Sequence, residues 1–133
     1  MRGFSCSAAV LSSFAEELGL DKETAYKIAC GFGSGLSRTD NICGAVSGAI
    51  MVIGLKYGKV MPKDNAARDK TQMLVQQFLQ EFTVKNGSVN CTDLLGYNLG
   101  NQEEYVTARD KKLFVTKCPA LVRDATDILE KIL

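Results

Sequence analysis

Cys43-Gly44-Ala45-Val46-Ser47-Gly48 lies in an uncharged run that extends from Asn41 to Leu55. The run is shorter than the roughly 20 apolar residues a bilayer span requires, and its glycine and alanine content suits a helix buried inside a protein. Gly44, Ala45, Gly48 and Ala49 recur at helical spacing, so one face of that helix is small enough for a neighbour to approach closely. The run therefore predicts a central helix from Ile42 to Tyr57, capped by Asp40 and closed by Gly58, with Cys43 in its first turn.

The rest of the chain reads as helices arranged around that one. Leu11, Phe14, Ala15 and Leu18 follow the i, i+3, i+4, i+7 pattern, with Ser5 as the N-cap, Cys6 in the first turn and Gly19 as the stop. Asp21 caps a second helix whose apolar face includes Ala25, Ile28, Ala29 and Phe32, with Cys30 beside it. Pro62 and Asp64 introduce a long helix striped by Leu74, Val75, Phe78, Leu79 and Phe82 and ended by Asn86-Gly87. Thr92 suits the cap of a short turn running to Leu95, just after Cys91. Gly100 to Phe114 accommodates one further helix among loops. Pro119 fits the first position of a terminal helix packed through Leu121, Val122, Ala125, Ile128, Leu129 and Ile132, which makes Cys118 its N-cap. The expected fold is all-α, a compact bundle of about six helices in one domain spanning residues 1–133.

Charge narrows the function classes. Sixteen basic residues face 15 acidic ones, so no global field draws the protein to nucleic acid or to an anionic membrane. Gly31, Gly33 and Gly35 superficially suggest a phosphate loop. They follow a helix instead of a strand and lack the P-loop lysine, so they read as a turn that needs positive φ. Arg2 and the small residues after it imitate the start of a secretion signal, but Glu16 and Glu17 interrupt the apolar stretch. The expected location is the cytoplasm, with no transmembrane segment.

Five cysteines in a reducing compartment read as ligands, reactive thiols or core residues in preference to structural disulfides. Histidine is absent from the sequence, which removes Cys-His and Ser-His-Asp catalysis, histidine-ligated zinc and C-x-x-C-H haem attachment. No C-x-x-C pair occurs either. Cys6, Cys43, Cys91 and Cys118 are all read at helix starts, where unpaired backbone N–H groups and the helix dipole favour thiolate. Cys30 lies at a helix C-terminus beside Ala29 and reads as a quiet core residue.

These pieces resemble the family of redox-active proteins named for the C_GCAxxG_C_C arrangement. The resemblance rests on Gly3-Phe4-Ser5-Cys6, Phe32-Gly33-Ser34-Gly35-Leu36, Cys43 to Met51, Gly54-Leu55-Lys56-Tyr57-Gly58, Cys91 to Gly96 and Cys118, in order along almost the whole chain. It implies a small helical protein whose four family cysteines are Cys6, Cys43, Cys91 and Cys118, with Cys30 outside the pattern. It also implies a setting near transporters, hence an unidentified redox partner or a transport-related protein. A related segment occurs in split-Soret-type cytochromes, but c-type haem has no attachment motif here.

The leading expectation is a cytoplasmic thiol redox or electron-transfer protein in which Cys6, Cys43, Cys91 and Cys118 converge. The four would act as a reactive dithiol system or hold an iron–sulfur cluster or zinc. The competing expectation is a non-catalytic helical module, with structural zinc or reduced thiols, that binds a partner protein. Tyr57, Arg38 and the carboxylates are available as acid or base groups. The glycine and alanine face would equally serve a second copy, giving a homodimer.

Overall fold

In the computed structural model, which describes residues 3–133, Ser5 accepts a hydrogen bond from the Ala8 N–H and starts helix α1 (Cys6–Ala15). Arg2, the head of the signal-like stretch, lies outside the described residues. Asp21 caps α2 (Lys22–Ala29) in the same way, through the Thr24 N–H. The central helix is α3 (Gly44–Tyr57). Asp64 caps α4 (Asn65–Asn86), which ends on Gly87 at a φ of 87°. A short α5 (Cys91–Leu95), α6 (Gln102–Asp110) and the long α7 (Leu113–Ile132) complete the order. The fold is all-α, with seven right-handed helices among the described residues and a single isolated bridge, Ile42 to Asn90, in place of any strand.

Helix α3 lies at the centre. Val46, Ala49, Val52 and Ile53 are fully buried, while Ile50 is partly covered. The close contact is with α1, and its cause is the glycine pair of the CGAxxG stretch. A Cβ built on Gly48 would stand 2.7 Å from the Ser7 carbonyl oxygen, and one on Gly44 would stand 3.1 Å from the Ser7 nitrogen and 3.2 Å from the Cys6 Cβ. Without side chains at these two positions, one turn apart, α1 settles almost backbone to backbone on α3. Ser7, itself buried, then ties α1 to α2 by donating its hydroxyl to the Ala29 carbonyl at 2.7 Å. Phe78 and Phe82 of α4, with ring centres 5.8 Å apart, are fully buried, as are Leu121 and Leu129 of α7.

Several local readings are corrected. Helix α3 begins at Gly44 and not at Ile42, because Ile42 is held in its bridge and Asp40, at a φ of 57°, is in a conformation unlike a cap. Cys43 is therefore the N-cap. Asn90, not Thr92, caps α5, accepting from the Thr92 and Asp93 N–H groups, and Cys91 is the first residue of that helix. Cys118 is not an N-cap at all. Helix α7 starts six residues before Pro119 and runs through it, because Phe114 packs on Tyr105 at 5.4 Å and anchors the additional turns. Ile28 of α2 and Phe32 in the turn that follows it are exposed, and so is Cys30, which caps the helix instead of entering the core.

The segment Gly33–Arg38 is a turn of left-handed helix. Ser34, Gly35, Leu36, Ser37 and Arg38 have φ values of 56°, 69°, 63°, 56° and 66°. For residues other than glycine that conformation costs about 1–2 kcal/mol each, so tertiary contacts must hold it. Those contacts are present. The Ser37 hydroxyl donates to Gly31 at 2.6 Å, and the Asn41 N–H donates back to Gly35 at 3.1 Å. The Arg38 guanidinium lies over Tyr105, with Nε donating to the Leu99 carbonyl and Nη2 to Gln102. Positive φ was expected of the glycines here, yet Gly33 itself is extended and the neighbouring serines, Leu36 and Arg38 carry most of the turn.

Candidate redox site

Each of the four family cysteines reaches the same place by a different device. Cys6 is carried by α1 and brought against α3 by the Gly44–Gly48 contact. Cys43 and Cys91 are joined through backbone: the Cys43 N–H donates to the Val89 carbonyl at 2.8 Å and the Cys91 N–H donates to Asn41 at 3.0 Å, on either side of the Ile42–Asn90 bridge. Cys118 is delivered from within α7, one turn beyond Phe114. Gly35 allows the left-handed turn to close over Cys91, since a Cβ on Gly35 would stand 2.8 Å from the Cys91 Cβ.

The result is a cavity of about 190 Å³ with Cys6, Cys43, Cys91 and Cys118 in its wall. Phe4, Leu94, Leu95, Leu99, Phe114 and Leu121 supply the apolar lining, and Ser34 and Gly35 close one side. All four thiols are free and buried. Cys30 is exposed on a separate open groove with Tyr26, on the far side of the Gly3-Phe4-Ser5 segment that borders both spaces.

The thiols are electrostatically unequal. Cys6 and Cys118 influence each other most strongly of the four, with the proton favoured on Cys6 and negative charge favoured on the Cys118 sulfur. This interaction lowers the pKa of Cys118 below the ordinary thiol value of 9.0 against the opposing effect of burial. The same interaction, reinforced by burial and by the other three sulfurs, raises Cys6 far above it. Cys43 is raised by burial, partly offset by the N–H groups of Ala45 and Val46 at the start of α3. Cys91 is pushed up to about 12 by burial first, then by the neighbouring Cys43 and Cys118 sulfurs and by Asp40. Deprotonation of the set therefore begins at Cys118, with Cys6 retaining its proton.

The thiols surround a space without meeting at a point. Among the described residues, no three side chains of the Cys, Asp and Glu types stand close enough together to hold a metal ion. Sequence reasoning missed the fixed position of Arg38. This residue pins the left-handed turn against the cavity wall by stacking 3.6 Å from the centre of the Tyr105 ring, and that ring contacts cavity-lining Phe114. The residues around Arg38 carry no local signal for such a contact, which joins Arg38 to Leu99 and Gln102 far along the chain.

Fold and site together define an all-helical protein with four buried thiols around one apolar cavity. The chain belongs to the family described as "Putative redox-active protein (C_GCAxxG_C_C)", whose model matches residues 4–132. No curated protein and no solved structure matches the chain. No helix among the described residues is long and apolar enough to cross a membrane.

Proposed function

We propose that the chain is a cytoplasmic redox protein that cycles Cys6 and Cys118 between dithiol and disulfide. The observation that carries this reading is the placement of Cys6 and Cys118, whose acidities are shifted in opposite directions by each other, in the wall of one cavity. Thiolate is the attacking species in thiol–disulfide exchange, and Cys118 is the sulfur that ionises most readily. Its thiolate attacks one sulfur of an oxidised disulfide partner and breaks that S–S bond, releasing one thiol. Cys6 then gives up its proton and attacks the Cys118 sulfur of the mixed disulfide, releasing the second thiol. The two cysteines are oxidised by two electrons and the partner is reduced by two.

Cys43 and Cys91 keep their protons at neutral pH and contribute two further thiols to the cavity wall. A zinc centre would require the thiols to swing inward to about 2.3 Å from a common point. The separate placement of the thiols favours the dithiol reading over zinc ligation.

The test is anaerobic purification followed by equilibration in dithiothreitol buffers of graded potential, acid quench, alkylation and peptide mapping. A reversible Cys6–Cys118 disulfide is expected, lost in Cys118→Ser and retained in Cys30→Ala. Stoichiometric iron or zinc released only on modification of the four thiols would overturn the reading, as would the absence of any disulfide in the folded protein.

A further inference from the structure

We infer that the molecule exchanging electrons with this dithiol is small, uncharged and built around a sulfur–sulfur bond. The inference rests on the dithiol reading above and concerns what can enter the cavity. At about 190 Å³, the space is modestly larger than the roughly 150 Å³ apolar cavity that encloses benzene. A tripeptide disulfide is too large to enter this partly open space whole.

Charge is the second filter. Among the described residues, no Asp, Glu, Lys or Arg lines the cavity. Two charged residues of the adjoining turn are already engaged: Arg38 with Tyr105, Leu99 and Gln102, and Asp40 with the Thr92 hydroxyl at 2.5 Å. An entering cation or anion would lose its water without gaining a fixed counter-charge, and transfer of an unpaired charge into such surroundings is strongly unfavourable. An anion would also meet the Cys118 thiolate. A neutral molecule avoids both costs.

Leaving-group chemistry selects the bond. A thiolate released into an apolar space carries its charge on a large, polarizable sulfur and comes from a thiol whose ordinary pKa is about 8.5. Cleavage of a peroxide releases alkoxide or hydroxide, far stronger bases, and among the described residues the cavity wall supplies only thiols and serine hydroxyls as proton donors. The balanced reaction is R–S–S–R plus the two cysteine thiols giving two R–SH and the Cys6–Cys118 disulfide.

The full chain, reduced and unmodified, is mixed with four probes of comparable size: 2-hydroxyethyl disulfide (uncharged), cystamine (cationic), dithiodipropionate (anionic) and tert-butyl hydroperoxide (uncharged). Formation of the Cys6–Cys118 disulfide is followed by quenched mapping. Each rate is divided by that of thiol oxidation in the urea-unfolded chain with the same probe, which removes intrinsic reactivity. The ratio for 2-hydroxyethyl disulfide should exceed those for the other three by at least about tenfold, as expected from the cost of desolvating charge and of expelling a strong base. Equal ratios, or a larger one for any charged disulfide or for the hydroperoxide, would overturn the inference and leave the dithiol reading standing. A native protein inert to all four while the unfolded chain reacts would overturn both.

Discussion

The guanidinium carbon of Arg38 sits 3.6 Å from the centre of the Tyr105 ring, and through this contact a left-handed turn is fastened over four thiols. The turn runs against the intrinsic preference of its serine, leucine and arginine backbone, so its attachment decides how often it lifts. An exposed cation–π contact contributes about 0.5–1 kcal/mol, and the hydrogen bonds to Leu99 and Gln102 add to it.

Replacing Arg38 with alanine should therefore raise the iodoacetamide alkylation rate of Cys91 about fivefold, equivalent to about 1 kcal/mol less holding energy. Arg38→Lys should recover only part of the protection, because an ammonium keeps the charge but neither the planar stack nor the fork of donors. An alkylation rate identical to the parent in a folded Arg38→Ala protein would show that the contact does not control access.

Two glycines of α3 should respond in opposite directions to the same added methyl. At Gly48 the new Cβ would meet the Ser7 carbonyl oxygen at 2.7 Å and the Val10 Cβ at 3.0 Å, both in the tight seam with α1. Gly48→Ala should cost about 1–3 kcal/mol, and Gly48→Leu should cost at least as much. At Gly54 nothing lies within 4 Å, and alanine is the better helix former, so Gly54→Ala should stabilise by about 0.5–1 kcal/mol. Urea melts of the two alanine variants, run side by side, check both signs; a neutral Gly48→Ala would refute the close-packed seam.

Three N-caps were legible because capping is local: Ser5, Asp21 and Asp64 each bond an N–H three residues on, and Gly87 terminates its helix at positive φ. The buried central helix was legible from its uncharged run. Cys118 was misplaced for a related reason, since proline at a helix start is also a local rule, and here the packing of Phe114 on Tyr105 outweighs it. Cys30 and Ile28 were assigned to the core from residue type, whereas α2 turns both toward solvent.

The gathering of the four thiols around one cavity did not follow from a shared position at helix starts. Cys118 lies within its helix, and Cys91 leads a helix of only five residues. They line one cavity because Gly44 and Gly48 admit α1, because the Ile42–Asn90 bridge ties two chain segments together, and because Gly35 fits over Cys91. The left-handed turn was least legible, since its supports at Leu99, Gln102 and Tyr105 are remote in sequence.

The proton on Cys6 governs the acidity of Cys118, since the Cys6 thiol is the chief influence lowering it. In the parent protein, Cys118 should be alkylated with a pH midpoint below 9.0, the ordinary thiol value. Removing that thiol in Cys6→Ala leaves burial as the main remaining influence, which acts in the opposite direction, so the midpoint should move upward. Mass-resolved alkylation across a pH series measures it, and a downward move would contradict that role of Cys6.

Cys91 should make the fold sensitive to alkali. Its folded pKa is pushed up to about 12 from an unfolded value of 9.0, chiefly by burial. Between those values the unfolded chain has lost this proton and the folded chain has kept it, so fewer protons are bound on unfolding and stability falls as pH rises. The contribution is fully present below pH 9.0 and declines across the window up to about 12. Cys91→Ala keeps the Cβ that packs beneath Gly35 but removes the titrating sulfur. Urea unfolding of parent and variant at pH 8, 9, 10 and 11 should show the parent losing stability more steeply above pH 9, with the two curves parallel below it. Parallel curves over the whole range would mean that the Cys91 thiol ionises as readily in the folded protein as in the unfolded chain.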